Sequence, residues 1–510
     1  MKLESSINLR FITIFVVLAS LSVVSLLVAF RLPRQLNLSP DSFMYLDIAK
    51  NIKAGLGVST FNLSLSSTSI PDHVIAWPPL FPIAIALLMM AGLTNLNAAV
   101  LLSMVLLIVS VLLVFFVVHK KSNLVFAVAA ALTYLYLVTK MSIWQNVWSE
   151  QLFTVLLLSV WTYILLRRNY DLKDVFVIGL MLSLVALTRY AGIVLLPVVF
   201  AVLFLRTQRG EYGSIRRLAT TGVAFVLGLT PLIVWFIRNI VVSGSIFGVV
   251  SPVAFATWHQ LLSDLTNAFS DGFVQHLIWL VAAVFVGGLL NIYSLTKTVR
   301  RGLTELRSSA LFLFVVLYLA LITYSVHRYN IDAISGRYLE PLYPLTLIAL
   351  FIFLERVVNE LWLRIAQLRV EVRGLVVATI FLISVFMFFG KVKLYITDTK
   401  IAANTRYRDK VSEWVINNTG KEDIIINRRS WVYRFVTDRV SISSDYPYMP
   451  QLTAENIITF LMNHSDLDGR RIMIVDISAT TLPDYNEYAK FGITLLLIAQ
   501  IGNNNVYELK

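Results

Sequence analysis

Cysteine is absent from the 510 residues. That excludes disulfides and every thiolate metal site. Charge is scarce: Asp, Glu, Lys and Arg together make up 14% of the chain, against 57% hydrophobic residues. So apolar a composition excludes an ordinary soluble protein and indicates an integral membrane protein. The six histidines, among them His73, His259 and His327, show no metal-ligand spacing. The glycine-rich loops that cradle nucleotide phosphates are missing as well, which argues against a nucleotide-sugar donor. No internal repeat and no low-complexity linker interrupts the chain.

What is present is a series of apolar runs. A membrane-spanning helix needs roughly 17–25 apolar residues. Runs of that kind lie at 11–30, 97–118, 123–139, 151–166, 175–188, 190–205, 218–237, 276–296, 309–326, 339–354 and 375–390. The first is preceded by "MKLESSINLR" and has no small-residue cleavage pattern, so it reads as an uncleaved span. Residues 79–93 are apolar but short and begin after a Pro-Pro pair. Counted as a span, they would reverse the orientation of everything downstream.

The formal net charge of +13 raises the question of nucleic acid or anionic lipid. Its distribution answers it. With the N-terminus in the cytoplasm and 79–93 left out, the basic loops "HKK", "RRNYDLK", "RTQRGEYGSIRR", "KTVRRGLTELR" and "ERVVNELWLRIAQLRVEVR" all fall on the inner side. The excess charge is a topology signal, and no nucleic-acid partner is expected.

Past residue 390 the composition becomes that of a soluble domain. "DIIIN" and "RIMIVD" read as buried strands, "TAENIITFLMNH" as a helix between strands, and "TLLLIAQIG" with "NVYELK" as a hairpin across "NNN". In "NTRYRDKVSEWVINNTG" one helical face carries Tyr407, Val411, Trp414 and Val415. The expected architecture is mainly α: a polytopic membrane core of about 11–13 spans over 1–390, its first outer loop at 31–96, and an extracytoplasmic α/β domain at 391–510.

Ionisable residues avoid the middles of the runs and gather just outside them, opposite the basic loops. Ion-coupled carriers keep such groups near the bilayer midplane; here any chemistry belongs to the outer surface. "LNLSPDSFMYLDIAKNIKAGLG" starts there. Ser39 is a natural N-cap, Pro40 a natural first helical residue, and Gly55 or Gly57 a natural stop. At about 100° per residue, Asp41 shares a face with Tyr45, Ile48 and Ile52, while Asp47 points to the solvated side. Asp41 either serves the helix dipole or has a task. Glu150 begins a later span at the same depth. Arg189, Arg238, Arg328 and Arg337 lie on the same side. Each alone would pass for an interfacial snorkeller; together with two acids they suit the gripping of a phosphate.

Acids and arginines at the lipid–water boundary fit sugar transfer from a polyprenyl-phosphate donor. One carboxylate takes the acceptor hydroxyl's proton. Cations meet the phosphate as it departs. In "PDSFMYLDIAKNIKAGLG", "WPPLFPIAIALL", "WSEQLFTVLLL", "LTRYAGIVLLP", "PLIVWFIRNIVVSG" and "GRYLEPLYPLTLI", taken in order, the chain resembles the GT-C superfamily of polyprenyl-phosphate-sugar glycosyltransferases. That superfamily includes protein O-mannosyltransferases and the lipid A aminoarabinose transferase. The resemblance implies an inverting cell-membrane transferase with Asp41 as base and Glu150 supporting the acceptor or a divalent metal ion. It implies Arg337 as the donor-phosphate ligand, joined by Arg189, Arg238 and Arg328. Tyr45, His73, Trp77 and Tyr338 would line the acceptor or sugar. Its partners would be an undecaprenyl- or dolichyl-type lipid-linked sugar and a protein, lipid or glycan acceptor. Trp77 stands where the O-mannosyltransferase pattern has histidine, which points away from that branch. The competing readings are a transporter of lipid or lipid-linked sugar and a non-catalytic membrane assembly subunit.

Overall fold

A computed structural model describes residues 21–22, 38–63, 70–139, 141–167, 170–206, 214–247, 257–269, 310–328, 335–365, 409–427, 429–443, 470–476, 494–501 and 504–510, with a few single positions between them. The chain divides into two compact units. One comprises residues 1–36 and 100–401, the other 37–99 and 402–510.

The first unit is a bundle of apolar helices. Its described elements, with the few preceding residues of the first helix, are α3 (Asn95–Lys121), α4 (Leu124–Val138), α5 (Glu150–Leu166), α6 (Leu172–Thr188), α7 (Leu195–Arg206), α8 (Ser214–Gly228), α9 (Thr230–Ser243), α10 (Trp258–Phe269), α11 (Ala310–Arg328), the single turn α12 (Gly336–Leu339) and α13 (Tyr343–Ile365). Local signals start these helices. The Asn123 side chain accepts from the amides of Val125 and Phe126 at 3.1 and 3.2 Å. Asp171 and Asp174 form a reciprocal capping box, satisfying amides a helix start leaves open.

Eight of the expected spans fall on described helices. Those expected at 276–296 and 375–390, and all but residues 21–22 of the one at 11–30, lie outside the described residues. Among the described residues, Asn95–Lys121 alone is long and apolar enough to cross a membrane by itself. Leu124–Val138, Glu150–Leu166, Tyr190–Leu203 and Leu313–His327 are apolar but shorter.

The run expected as one straight span at 218–237 is instead two helices, α8 and α9, meeting at 61°. Pro231 is the cause: it has no amide to give the carbonyl of Leu227 and its ring crowds that carbonyl. Thr230 supplies the missing donor, its hydroxyl 2.7 Å from the Leu227 oxygen. The amide of Leu232, freed at the start of α9, donates to Ser183 Oγ on α6 at 2.9 Å.

Helices α6 and α8 touch backbone to backbone. A Cβ at Gly228 would lie 2.4 Å from the Phe176 carbonyl oxygen, and one at Gly179 2.7 Å from that of Phe225. Small residues let membrane helices approach so closely. Gly228→Val is therefore expected to destabilise the bundle by about 1–3 kcal/mol through overpacking, seen as a lower thermal midpoint of the detergent-solubilised protein.

The second unit joins the segment after the first apolar run to the tail. Its described elements are α1 (Pro40–Lys53), β1 (Ser59–Thr60), β2 (Asn62–Leu63), β3 (Asp72–His73), α2 (Leu80–Met90), α14 (Lys410–Asn418), β4 (Ile424–Asn427), α15 (Ser430–Thr437), β5 (Val440–Ser443), β6 (Ile472–Asp476), β7 (Leu495–Ile501) and β8 (Asn504–Leu509). Six strands form one sheet in the order β2-β5-β4-β6-β8-β7, with β2, β5, β4 and β6 parallel and β8 antiparallel to both β6 and β7. Alternation builds both faces. Ile424, Ile426, Ile442 and Ile474 point one way; Ile425, Met473, Val475 and Val506 point the other, onto Val411 and Val415 of α14. Tyr407, and most of the helix expected at 453–464, lie outside the described residues.

One feature differs from the sequence reading. The loop expected at 31–96 contributes an edge strand: Asn62 and Leu63 pair with Ser441 and Ile442. The loop thus belongs to the same compact unit as the tail and not to the unit of the core helices. The run 79–93, left out of the spans from sequence, forms α2, an 11-residue helix well under the roughly 17 residues a span needs.

Candidate active site

The site in the helical unit is built at one end of the bundle. Residues 139–149 connect α4 to α5, passing through a 3-10 turn at Ser142–Trp144. Glu340, 6% exposed, holds that turn. It accepts from the amides of Ser142 and Ile143, each at 2.8 Å, and from the Ser142 hydroxyl. Gln151 fixes the same connection from the other side. It donates to the carbonyls of Ile143 and Asn146 at 2.9 Å and accepts from Ser103 at 2.7 Å.

Between these two anchors stands Glu150, the first residue of α5, with no solvent exposure. Arg189 and Arg337 both reach the same oxygen, Oε1. Arg189 enters as α6 ends, its backbone extended at φ −150°. Arg337 enters from α12. Aromatic faces flank both guanidiniums: Trp148 lies 4.1 Å from that of Arg337 and Tyr338 5.9 Å from that of Arg189, where a ring's negative face favours a cation. Tyr318 donates to the Tyr338 carbonyl at 3.0 Å, fixing that residue in turn. The opposite end of the same helices carries Lys120, Lys121 and the Arg167–Asp174 pair. The cluster therefore sits at the end away from the basic loops. A guanidinium cannot shed its proton in a protein, so this is a permanently ionic site.

No protein-family model matches the sequence, and no curated protein is significantly similar to it. Solved structures are. ArnT from Cupriavidus metallidurans in the apo state aligns over 98% of both chains at a TM-score of 0.58 and 13% identity. ArnT bound to undecaprenyl phosphate aligns over the same share at 0.58 and 12%. The Archaeoglobus fulgidus oligosaccharyltransferase, tethered to an acceptor peptide, aligns over 91% of this chain and 68% of its own at 0.51 and 13%.

The chain has the fold of the GT-C glycosyltransferases.

Within this GT-C fold the residues named from sequence are distributed as follows. Glu150, Arg189, Arg337 and Tyr338 come together. Arg238 belongs to a neighbouring aromatic group: it bonds Asn239 Oδ1 at 3.1 Å and lies over Trp235 at 4.7 Å. Tyr190, next to Arg189, accepts from Trp235 Nε1 at 2.9 Å and Asn239 Nδ2 at 3.3 Å. Arg328 is the last residue of α11; its side chain lies outside the described residues.

Asp41, Tyr45, His73 and Trp77 belong to the other compact unit. Asp41 is half-buried in the first turn of α1. Ser39 and Ser42 make the capping box there, so Asp41 is not needed as the cap. Tyr45 is 3% exposed and meets Phe81 edge-on at 5.1 Å; its ring is part of the core. His73 is exposed on β3 and Trp77 half-buried.

Asp47 corrects the sequence reading. Expected on the solvated side, it is 9% exposed. It accepts from Arg434 Nε at 2.8 Å, Thr60 Oγ1 at 2.7 Å and the Phe61 amide at 3.0 Å. The tail covers a face of α1 that periodicity over the loop alone had left to water. Nearby, partial burial pushes Asp438 up, but the Lys50 hydrogen bond and the charges of Lys50 and Arg434 outweigh it and hold the carboxyl below the usual range.

Glu340, Gln151 and Trp148 were not singled out from sequence. Glu340 had a signal, an acid inside the apolar stretch "RYLEPLYPLTLI". Gln151 and Trp148 had none beyond adjacency to Glu150. Among the described residues no three His, Asp or Glu side chains converge as a metal site would require. Glu150, considered from sequence as a metal ligand, gives its carboxylate to two guanidiniums, a setting that does not fit a divalent cation.

Proposed function

We propose that this chain is a multi-pass membrane glycosyltransferase that moves a sugar from a polyprenyl-phosphate donor to an acceptor on the outer face of the cell membrane. The observation that carries the reading is the buried Glu150 with Arg189 and Arg337 on one oxygen, at the bundle end opposite the basic loops, in a GT-C fold. Similarity to a structure whose bound lipid is undecaprenyl phosphate supports the same donor class.

In this reading Glu150 holds the two guanidiniums side by side. Their planar forks suit phosphate oxygens, which accept two parallel N–H bonds from one arginine. As the sugar–phosphate bond breaks, charge grows on the lipid phosphate and these fixed cations stabilise it without reorganising. Asp41 takes the proton of the acceptor hydroxyl, which attacks the anomeric carbon from the side opposite the departing phosphate and inverts its configuration. The phosphate leaves as an anion and needs no general acid. The N-terminus is cytoplasmic and the soluble unit extracytoplasmic.

The test is release of polyprenyl phosphate by the purified protein. Undecaprenyl- and dolichyl-phosphate-linked hexoses and pentoses are supplied with membrane extract as acceptor. Release accompanied by label in an acceptor fraction is expected. Movement of intact labelled lipid across vesicle membranes with no release from any donor would instead establish a transporter.

A further inference from the structure

Helix α1 carries Asp41 in its first turn and is held along its length by the tail. Arg434, on α15, donates from Nε to Asp47 Oδ1 at 2.8 Å, and another of its nitrogens lies 3.2 Å from Asp438 Oδ1. Asp438 in turn receives Lys50. Two residues of α1 thus flank two of the tail in a chain of four charges, Lys50–Asp438–Arg434–Asp47. The Arg434–Asp47 pair is buried, at 7% and 9% exposure. Around it, Phe43 of α1 meets Phe435 of α15 at 5.1 Å, and Phe61 lies 4.7 Å from the Arg434 guanidinium. Asp438 has φ +56°, the left-handed region that a short polar residue tolerates better than most, and so turns its carboxyl back at the end of α15.

A buried ion pair is a poor device for stability, since apolar residues of similar volume do as well. Its hydrogen bonds demand one register, and that is what it contributes here. Asp47 ties three segments at once: α1 itself, the Thr60–Phe61 strand connection and α15. Asp41 lies six residues before Asp47, about 9 Å along the helix axis. A rotation or slide of α1 displaces Asp41 with it. Reacting groups displaced by about 1 Å lose roughly 100-fold in rate.

We propose that Arg434 is a positioning residue for sugar transfer: through Asp47 it fixes the rotation and height of α1 and hence the place of the Asp41 carboxylate. The tail then belongs to the catalytic apparatus whether or not it also meets the acceptor. The inference rests on Asp41 as the base.

The test compares full-length Arg434→Gln, Arg434→Lys and Asp41→Asn. Amide hydrogen exchange is followed over residues 40–53, and kcat and KM are measured with the polyprenyl-phosphate sugar that supports release. Arg434→Gln is expected to raise exchange in α1 and to lower kcat about 10- to 100-fold, with donor KM changed less than about threefold because the arginine touches no substrate. Arg434→Lys, keeping the charge but not the fork, is expected to lie between. Asp41→Asn is expected to leave exchange unchanged and to lower transfer at least about 100-fold. Unchanged exchange in Arg434→Gln, or unchanged kcat, or a change confined to KM, overturns the proposal. Full activity in Asp41→Asn overturns the base assignment instead, and leaves the exchange result to report on the clamp alone.

Discussion

Replacing Glu150 by alanine is expected to cost the helical unit about 3–5 kcal/mol, the range found when one partner of a buried ion pair is removed. The residue has no exposed surface, and Arg189 and Arg337, 17% and 16% exposed, both reach its Oε1. Without the carboxylate, two cations that cannot neutralise face each other beside Trp148 and Tyr338 in a setting poorer in water than the surface. Glu150→Gln keeps the volume and one acceptor oxygen but not the charge, and is expected to fall between alanine and wild type. Arg189→Met and Arg337→Met should each cost less than the alanine variant, because in each the carboxylate retains one guanidinium. The apparent thermal midpoint of the detergent-solubilised chain orders the four variants. A Glu150→Ala midpoint equal to wild type would show that the cluster does not hold the bundle end. Transfer should fall in every one of them, and undecaprenyl phosphate should bind more weakly to the arginine variants.

The second large effect separates two acids on one helix. Asp41→Asn is expected to lower the transfer rate by at least about 100-fold, the low end of what general-base catalysis contributes, with the fold intact. The Ser39–Ser42 capping box remains, and the lost dipole interaction is worth only about 0.3–1 kcal/mol. Asp47→Asn is expected to do the reverse in origin. It removes the charge that compensates the buried Arg434, so it should lower the unfolding midpoint of the soluble unit and loosen α1, lowering transfer indirectly. Circular dichroism and polyprenyl-phosphate release, measured on the same preparations, distinguish the two. Wild-type transfer by Asp41→Asn would end the assignment of that residue.

The contrast between these acids shows where sequence reading reaches its limit. Periodicity told which residues of α1 share a face, and its caps were visible as Ser39, Pro40 and Gly55. Periodicity does not tell what covers a face. Arg434 stands 387 residues from Asp47, and no spacing rule connects them. The same is true of Glu340, which reaches 198 residues back to cap the Ser142 turn, and of the edge strand Asn62–Leu63, whose partner is Ser441–Ile442. Two residues are too few to show alternation, so that strand has no signature of its own.

Composition and local pattern by themselves determined the apolar helices that are described, most strands of the tail and the presence of acids and arginines at the ends of the apolar runs. Each of those follows from transfer energies and backbone geometry that act within a few residues. Only the tertiary structure decided that Arg189 and Arg337 share a single carboxylate, that Pro231 breaks one run into two helices 61° apart, and that helix α1 is bound to the tail by a buried ion pair. Those outcomes depend on which distant side chain pays the desolvation of a given charge, and a chain settles that only when it folds.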